Sequence, residues 1–212
     1  MSIARIGTHF IWALIALLSV GVAGYALFHV TTGFEHLELD NNFPSPLGLE
    51  THIAASAFAM LIGPFQFLKV LRSRLSGIHR WMGRFYIAAC LVGGVAGSII
   101  ALYSGGGLAA GLGFLSLALV WLFTTLMAWF SALRRDFAAH ERWMIRSFAL
   151  TFAAVTLRLY IPSVLILQWE FWPAYRIIAW ACWVPNLVIA ELWIALRRKP
   201  KRPKVAPTAV PA

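Results

Sequence analysis

The chain has 212 residues, of which 60% are hydrophobic and only 12% are charged, and its formal net charge is +10. A soluble domain of this size does not carry so much apolar surface, so the composition excludes that class and indicates a helical bundle embedded in lipid. Basic loops that contact anionic lipid headgroups account for the positive charge, and we expect no nucleic-acid partner.

Six apolar runs are each long enough to cross a bilayer, which takes roughly 20 residues. Because backbone N–H and C=O groups in lipid must pair within their own segment, each run is predicted to be an α-helix. The fold class is therefore all-α: a polytopic transmembrane six-helix bundle. Spans 1 to 6 are predicted at 8–30, 49–71, 81–103, 109–132, 143–167 and 173–196.

The segments around these runs complete the predicted organisation. Residues 1–7 form a short N-terminal segment, and 8–196 form the transmembrane domain. Residues 197–212 are a basic tail that is expected to be disordered. The first run is too long for the core of a signal peptide, so we expect an uncleaved anchor. Cys90 and Cys182 lie inside apolar runs and are expected to be free buried thiols.

The basic residues predict the orientation of the bundle. Of the 18 Lys and Arg residues, 16 fall at one end of a six-helix arrangement, and only Arg158 and Arg176 fall in the other half. Five of the eight acidic residues fall in that other half, most of them in the loop 31–48. The positive-inside rule then places both termini in the cytoplasm of a bacterial inner membrane.

Two stretches of the chain are almost alike. Leu71 to Arg84 aligns without a gap on Leu133 to Arg146, and both contain Arg-Trp-Met-x-Arg. Each stretch lies between two apolar runs. The sequence therefore predicts a tandem two-helix repeat, in which spans 2–3 correspond to spans 4–5, and each Arg-Trp-Met-x-Arg segment starts a helix.

Three spans carry polar side chains at helical spacing, so each set lies on one face of its helix. Such faces turn inward because polar groups that contact lipid are costly. They either hydrogen-bond the helices together or line a cavity that opens toward the outer leaflet. If a cavity exists, the predicted ligand-binding residues are His52, Arg158, Arg176, Trp180, Trp183 and Asn186.

Arg158 is the most informative single residue, because it lies about 24 Å further along span 5 than Arg142 at a rise of 1.5 Å per residue. An arginine inside a span costs a few kcal/mol, so a partner is expected. The candidates are Glu50, Glu170 and an anionic ligand. A structural tie and a ligand contact therefore both stay open.

The histidines suggest a second possible role for the bundle, which is haem binding. Haem b in a membrane bundle is held by two imidazoles at one depth on facing helices. Two pairs fit that pattern, His79 with His140 and His29 with His52, so the predicted cofactor ligands are His52, His79 and His140. The alternative is that histidines at helix ends contact headgroups or backbone carbonyls. No spacing supports a metal site made of histidines.

Four motifs stand out: His79-Arg80-Trp81-Met82-Gly83-Arg84, His140-Glu141-Arg142-Trp143-Met144-Ile145-Arg146-Ser147-Phe148-Ala149-Leu150-Thr151, Leu157-Arg158-Leu159-Tyr160 and Trp183-Val184-Pro185-Asn186-Leu187. Together they resemble the bacterial family of predicted membrane proteins catalogued as a domain of unknown function (DUF 2306), over roughly 48–196. That family brings no established activity. The His79 to Gly83 segment is also loosely similar to the cytochrome b561 type.

The residues and the resemblance leave three function classes open. The first is a b-haem or quinone-linked electron carrier with a redox partner. The second is a binding or transport protein for an anionic small molecule or an amphipathic lipid in an outer-leaflet cavity. The third is a membrane assembly partner without chemistry. The sequence does not decide whether the protein is an enzyme.

Overall fold

The computed structural model describes residues 3–32 and 46–197, and all of its regular elements are helices. This confirms the predicted all-α class. The elements are α1 (Ile3–Thr32), α2 (Pro46–Ile62), the 3-10 helix η1 (Pro64–Phe67), α3 (Lys69–Ser73), α4 (Ser76–Ala101), α5 (Gly107–Leu133), α6 (Phe137–Thr151), α7 (Ala153–Ile166), α8 (Phe171–Ala181) and α9 (Val184–Leu196).

Within the described residues, six helical stretches are long and apolar enough to cross a membrane, which confirms the six predicted spans. Their outward surfaces carry large apolar side chains, such as Leu108, Ile166 and Leu196, as a lipid environment requires. The protein is therefore a multi-pass membrane protein. The stretches are His9–Thr32, Leu47–Phe67, Ser76–Ala101, Gly107–Leu133, Phe137–Ile166 and Phe171–Leu196.

Span 2 is shorter than predicted. We expected one helix over 49–71, but α2 ends at Ile62 and is followed by η1 and α3. The cause is Pro64, which has no backbone N–H to donate to the preceding turn and whose ring collides with the carbonyl four residues back. The last backbone bond of this turn runs from Gly63 N to Ala59 O at 2.9 Å.

Spans 5 and 6 are each broken near the middle, which the apolar pattern did not predict. Span 5 consists of α6 and α7, which meet at Phe152, where Val155 N donates to a carbonyl three residues back at 2.9 Å. Span 6 consists of α8 and α9. The second break has a plain cause, because Pro185 occupies the first turn of α9 and cannot continue α8.

The two Arg-Trp-Met-x-Arg segments lie in the second and third turns of α4 and α6, which begin five and six residues before the predicted starts. Asp136 caps α6 by accepting from Ala139 N at 2.9 Å, which fixes the earlier start. The segments share a local geometry: the guanidinium of Arg84 lies 4.7 Å from the Trp81 ring centroid, and that of Arg146 lies 4.5 Å from Trp143. The duplication itself stays a prediction.

We call the end of the bundle at which α4 and α6 begin the basic end, and the end at which α2 begins the opposite end. Neighbouring spans pack along one another in the order α1, α2, α4, α5 and α6, while α8 packs on α5 and α9 on α6. The loop 33–45 and the basic tail beyond 197 lie outside the described residues, so the predictions made for them are untested, as is the orientation in the membrane.

Candidate functional site

A cavity of about 50 Å³ lies between α1, α2 and α7. Its polar side chains are His52, Ser56 and Arg158, and the rest of its wall is apolar. The structure thus places two of the six predicted ligand-binding residues, His52 and Arg158, on one cavity. The lining residues are Val22, Ala23, Ala26, His52, Ile53, Ser56, Ala57, Met60, Ala154 and Arg158.

Arg158 is half-buried and donates one hydrogen bond, from Nη1 to the carbonyl oxygen of Ala154 at 3.1 Å. Neither Glu50 nor Glu170 forms an ion pair with it; the ion pairs of residues 3–32 and 46–197 are Arg72–Glu141, Arg146–Glu191 and Arg197–Glu141. The remaining guanidinium N–H groups therefore have no carboxylate partner in the described part of the chain. The Arg–Glu tie, one of the two alternatives left open for Arg158, is not formed with Glu50 or Glu170.

His52 is held in one orientation by α4. Its Nδ1–H donates to the carbonyl oxygen of Gly93 at 2.7 Å. In the neutral ring this bond leaves Nε2 as an acceptor. The close approach depends on Gly97, because a Cβ there would lie 2.8 Å from His52 Nδ1. Gly93 and Gly97 thus leave room on α4 for the polar side chains of α2.

Ser56 adds an unused hydroxyl to the cavity. Its Oγ is buried and has no hydrogen-bond partner among the described residues. A Cβ on Gly93 would lie 2.9 Å from this oxygen, so the hydroxyl sits directly against α4. Ser56 and Arg158 both line the cavity, and a guanidinium together with an unpaired hydroxyl suits an oxyanion.

Four other predicted ligand-binding residues lie away from this cavity. Arg176 Nε donates to Gly106 O at 3.0 Å, and Trp180 Nε1 donates to an α5 carbonyl at 3.0 Å. Trp183 is buried in the core, and Asn186 Nδ2 donates to the Thr156 hydroxyl at 2.9 Å. The reason is the packing of span 6 against α5 and α6, which turns its polar face away from α1 and α2. Span 6 therefore does not line this cavity, and ligand binding by its four residues stays a prediction.

The histidines expected to bind haem occupy both ends of the bundle. At the basic end, His140 Nδ1–H donates to Ala128 O at 2.8 Å, while His79 Nδ1 is buried without a partner in the described chain. At the opposite end, His52 bonds to Gly93, and the His29 ring packs edge-on against Tyr25 with 4.5 Å between centroids. Their role as axial ligands stays a prediction.

A buried hydroxyl cluster at the centre of the bundle was not anticipated. The Tyr86 hydroxyl lies 3.0 Å from Ser147 Oγ and 2.9 Å from Thr151 Oγ1. Thr125 Oγ1 lies 2.7 Å from Ser147 Oγ, and Trp121 Nε1 donates to Thr151 at 2.9 Å. The sequence showed Ser147 and Thr151 on the polar face of span 5. The sequence did not single out the partners Tyr86, Trp121 and Thr125, because they lie on other helices and their immediate neighbours are mostly apolar.

The comparison with known proteins identifies a family but no activity. The family model described as predicted membrane protein (DUF2306) matches residues 49–194. No curated protein and no solved structure matches the chain significantly. The match covers α2 and α7, which carry all three polar residues of the cavity, whereas the wall formed by α1 lies outside it. The chain belongs to the DUF2306 family of membrane proteins of unknown function.

Proposed function

We propose that the protein binds the carboxylate or phosphate group of an amphipathic molecule in the cavity between α1, α2 and α7. The observation that carries this proposal is Arg158, a half-buried cation whose one hydrogen bond goes to its own helix and which has no carboxylate partner in the described part of the chain. A guanidinium inside a span costs a few kcal/mol, and a bound anion offsets that cost.

The chemistry of the walls favours an amphipathic ligand over a free inorganic ion. Val22, Ile53 and Met60 line the cavity beside the polar groups. An anionic head on Arg158 therefore leaves the attached chain against apolar surface, where each buried CH₂ contributes about 0.8 kcal/mol. Ser56 supplies a second donor, and His52 Nε2 accepts a hydrogen bond from a protonated or hydroxylated head.

Equilibrium binding to the purified protein in nanodiscs tests this function. Radiolabelled decanoate and decyl phosphate serve as probes, and inorganic phosphate as the free ion. Arg158→Leu is expected to weaken binding of either amphiphile at least tenfold. Arg80→Leu is the matched control, because it removes one exposed cation at the basic end and leaves the cavity intact. Equal affinities in the two variants would refute the proposal.

A b-haem or quinone-linked redox function is the second candidate, and one observation favours it. Nδ1 of His52 and of His140 each donates to a backbone carbonyl, at 2.7 and 2.8 Å. Such a bond fixes the ring and leaves Nε2 as a basic nitrogen, which is how an axial histidine is held in metal sites. A Soret band from protein purified from haem-replete cells, lost in His52→Ala or His140→Ala, supports this candidate.

We also infer the placement of the protein in the cell. The basic end carries most of the Lys and Arg residues, so the positive-inside rule assigns it to the cytoplasm of a bacterial inner membrane. The cavity then lies in the outer half of the bilayer, and its ligand comes from the outer leaflet or from the space beyond it. Both termini are then cytoplasmic.

A further inference from the structure

Along one face of α4, nearly every turn either has a polar side chain of its own or contacts a polar side chain of the preceding span. His79, Tyr86 and Cys90 lie on this face, which also includes Gly83 and Gly93. Side chains of the preceding span pack against these glycines. A Cβ on Gly83 would lie 3.5 Å from Gln66 Oε1, and a Cβ on Gly93 would lie 2.9 Å from Ser56 Oγ. We call this row the polar face of α4, and it runs from the basic end to the cavity.

The middle of the polar face is a run of buried hydroxyl groups that are hydrogen-bonded to one another. The hydroxyl of Tyr86, which is 0% exposed, contacts Ser147 and Thr151, and Ser147 contacts Thr125 in turn. In each of these three contacts either oxygen can be the donor, so the direction of the hydrogen bonds can reverse along the chain. Cys90, also 0% exposed, places its thiol beside the same hydroxyls, on the side that leads to Gly93.

The two flanks of this chain hold buried polar atoms that lack partners in the described chain. They are Ser56 Oγ on the cavity side, and Gln66 Nε2 and His79 Nδ1 on the basic side. Gln66 is only 4% exposed, so its amide is removed from bulk solvent. A buried polar atom without a protein partner is a site for an ordered water molecule, because leaving it unpaired costs about 1–3 kcal/mol.

The spacing along the helix allows water to join these groups. Successive positions on the polar face are at most four residues apart, which is about 6 Å of rise. Gln66 and Ser56 supply the polar groups at the two glycine positions, and ordered water on their unpaired atoms would complete the path. The whole path from His79 to Gly93 covers about 21 Å of helix, at 1.5 Å per residue.

We propose that the polar face of α4 conducts protons between the cavity and the basic end. Each hydroxyl or water accepts a proton on one lone pair and releases its own proton to the next oxygen, so no bond order or oxidation state changes and one positive charge crosses the bundle. His52 and His79 exchange protons at the two ends. Arg158 is the charged group near His52, and His140 and Arg72 are the groups near His79.

Proton flux into liposomes tests this proposal without any ligand, so its outcome is independent of the anion-binding function. Full-length protein is reconstituted with a pH-sensitive dye inside, and a potassium gradient with valinomycin drives proton entry. Wild-type protein is expected to exceed protein-free liposomes at least tenfold. Tyr86→Phe keeps the ring but removes the central hydroxyl, and it is expected to lower the flux at least tenfold.

Tyr103→Phe is the matched control, because Tyr103 is 48% exposed and lies outside the path. If Tyr86→Phe fails to fold, as judged by size exclusion and circular dichroism, Ser147→Ala replaces it. Wild-type flux no higher than that of empty liposomes overturns the proposal. So does equal flux in the wild type and the folded variant that lacks a hydroxyl of the chain.

Discussion

Arg158 and His52 belong to spans that are far apart in the sequence, yet they line one cavity beside α1. His52 is oriented by a 2.7 Å bond to Gly93, while the only hydrogen bond of Arg158 in the described chain goes to Ala154 in its own helix. The imidazole is therefore fixed by the protein, whereas the guanidinium still has unused donors. This difference is why the proposed anion site centres on Arg158 and not on His52.

The close contact between α2 and α4 predicts that Gly97→Ala is destabilising. The added Cβ would lie 2.8 Å from Nδ1 and 2.9 Å from Cε1 of His52, so the ring must move and its bond to Gly93 breaks. We expect a loss of about 1–2 kcal/mol of unfolding free energy, from overpacking and from the lost hydrogen bond. Thermal unfolding in detergent measures this effect.

Gly77→Ala is the matched control for that experiment, because Gly77 lies in the same helix and a Cβ there meets nothing within 4 Å. Alanine has the higher helix propensity, so the control is expected to keep or slightly raise the melting temperature. A Gly97→Ala protein as stable as Gly77→Ala would contradict the packing described here.

The hydroxyl cluster predicts a second stability effect, at Thr151. Thr151→Val removes the acceptor of Trp121 Nε1 and one contact of the Tyr86 hydroxyl. The buried indole N–H is then unpaired, and we expect a cost of about 1–2 kcal/mol. Thr124→Val is the control, since Thr124 is equally buried but bonds only to a carbonyl of its own helix. Equal melting temperatures for the two variants would argue against the cluster.

The two repeat segments predict unequal effects of equivalent substitutions. Arg146 stacks on Trp143 and also forms a bidentate pair with Glu191, with 2.8 Å between Nη2 and Oε2. Arg84 stacks on Trp81 from an exposed position. Arg146→Met is expected to cost about 1–2 kcal/mol because it removes charge-assisted bonds, and Arg84→Met less than about 1 kcal/mol. Chemical unfolding compares them, and a larger effect at Arg84 would be inconsistent with this geometry.

The sequence predicted the fold well because lipid imposes simple rules on it. Run length and backbone pairing identified six spans, and all six appear in the described residues. The breaks at Gly63–Pro64 and at Trp183–Pro185 carried a visible proline signal. The break at Phe152 had no such signal in the sequence, because an apolar run has the same composition whether its helix is continuous or interrupted.

The candidate site was predicted only in part. His52 and Arg158 stood out as polar residues at helical spacing, and the structure puts both on one cavity. The neighbours of the polar face of span 6 could not be predicted, because spacing shows that residues share a face but not which helix that face contacts. Asn186, for example, faces Thr156 across the contact between spans 5 and 6 and lies away from α2.

The distribution of basic residues predicts the orientation of the bundle. A reporter fused after Lys204 is expected to read cytoplasmic, and one inserted near Asn41 is expected to read external. Paired alkaline phosphatase and green fluorescent protein fusions in bacteria measure this. An external signal at the first point, or a cytoplasmic signal at the second, would reverse the proposed placement of the cavity.

Photo-crosslinking tests the central claim, which is that an anionic amphiphile occupies the cavity beside Arg158. A decanoate analogue with a diazirine near its carboxylate is photolysed with protein in nanodiscs, and labelled peptides are mapped by mass spectrometry. We predict labels on α1 near Val22 to Ala26 and on α2 near Ile53 to Met60, with loss of labelling in Arg158→Leu and retention in Arg80→Leu. Labelling of other helices alone, or labelling unchanged by Arg158→Leu, would contradict the account.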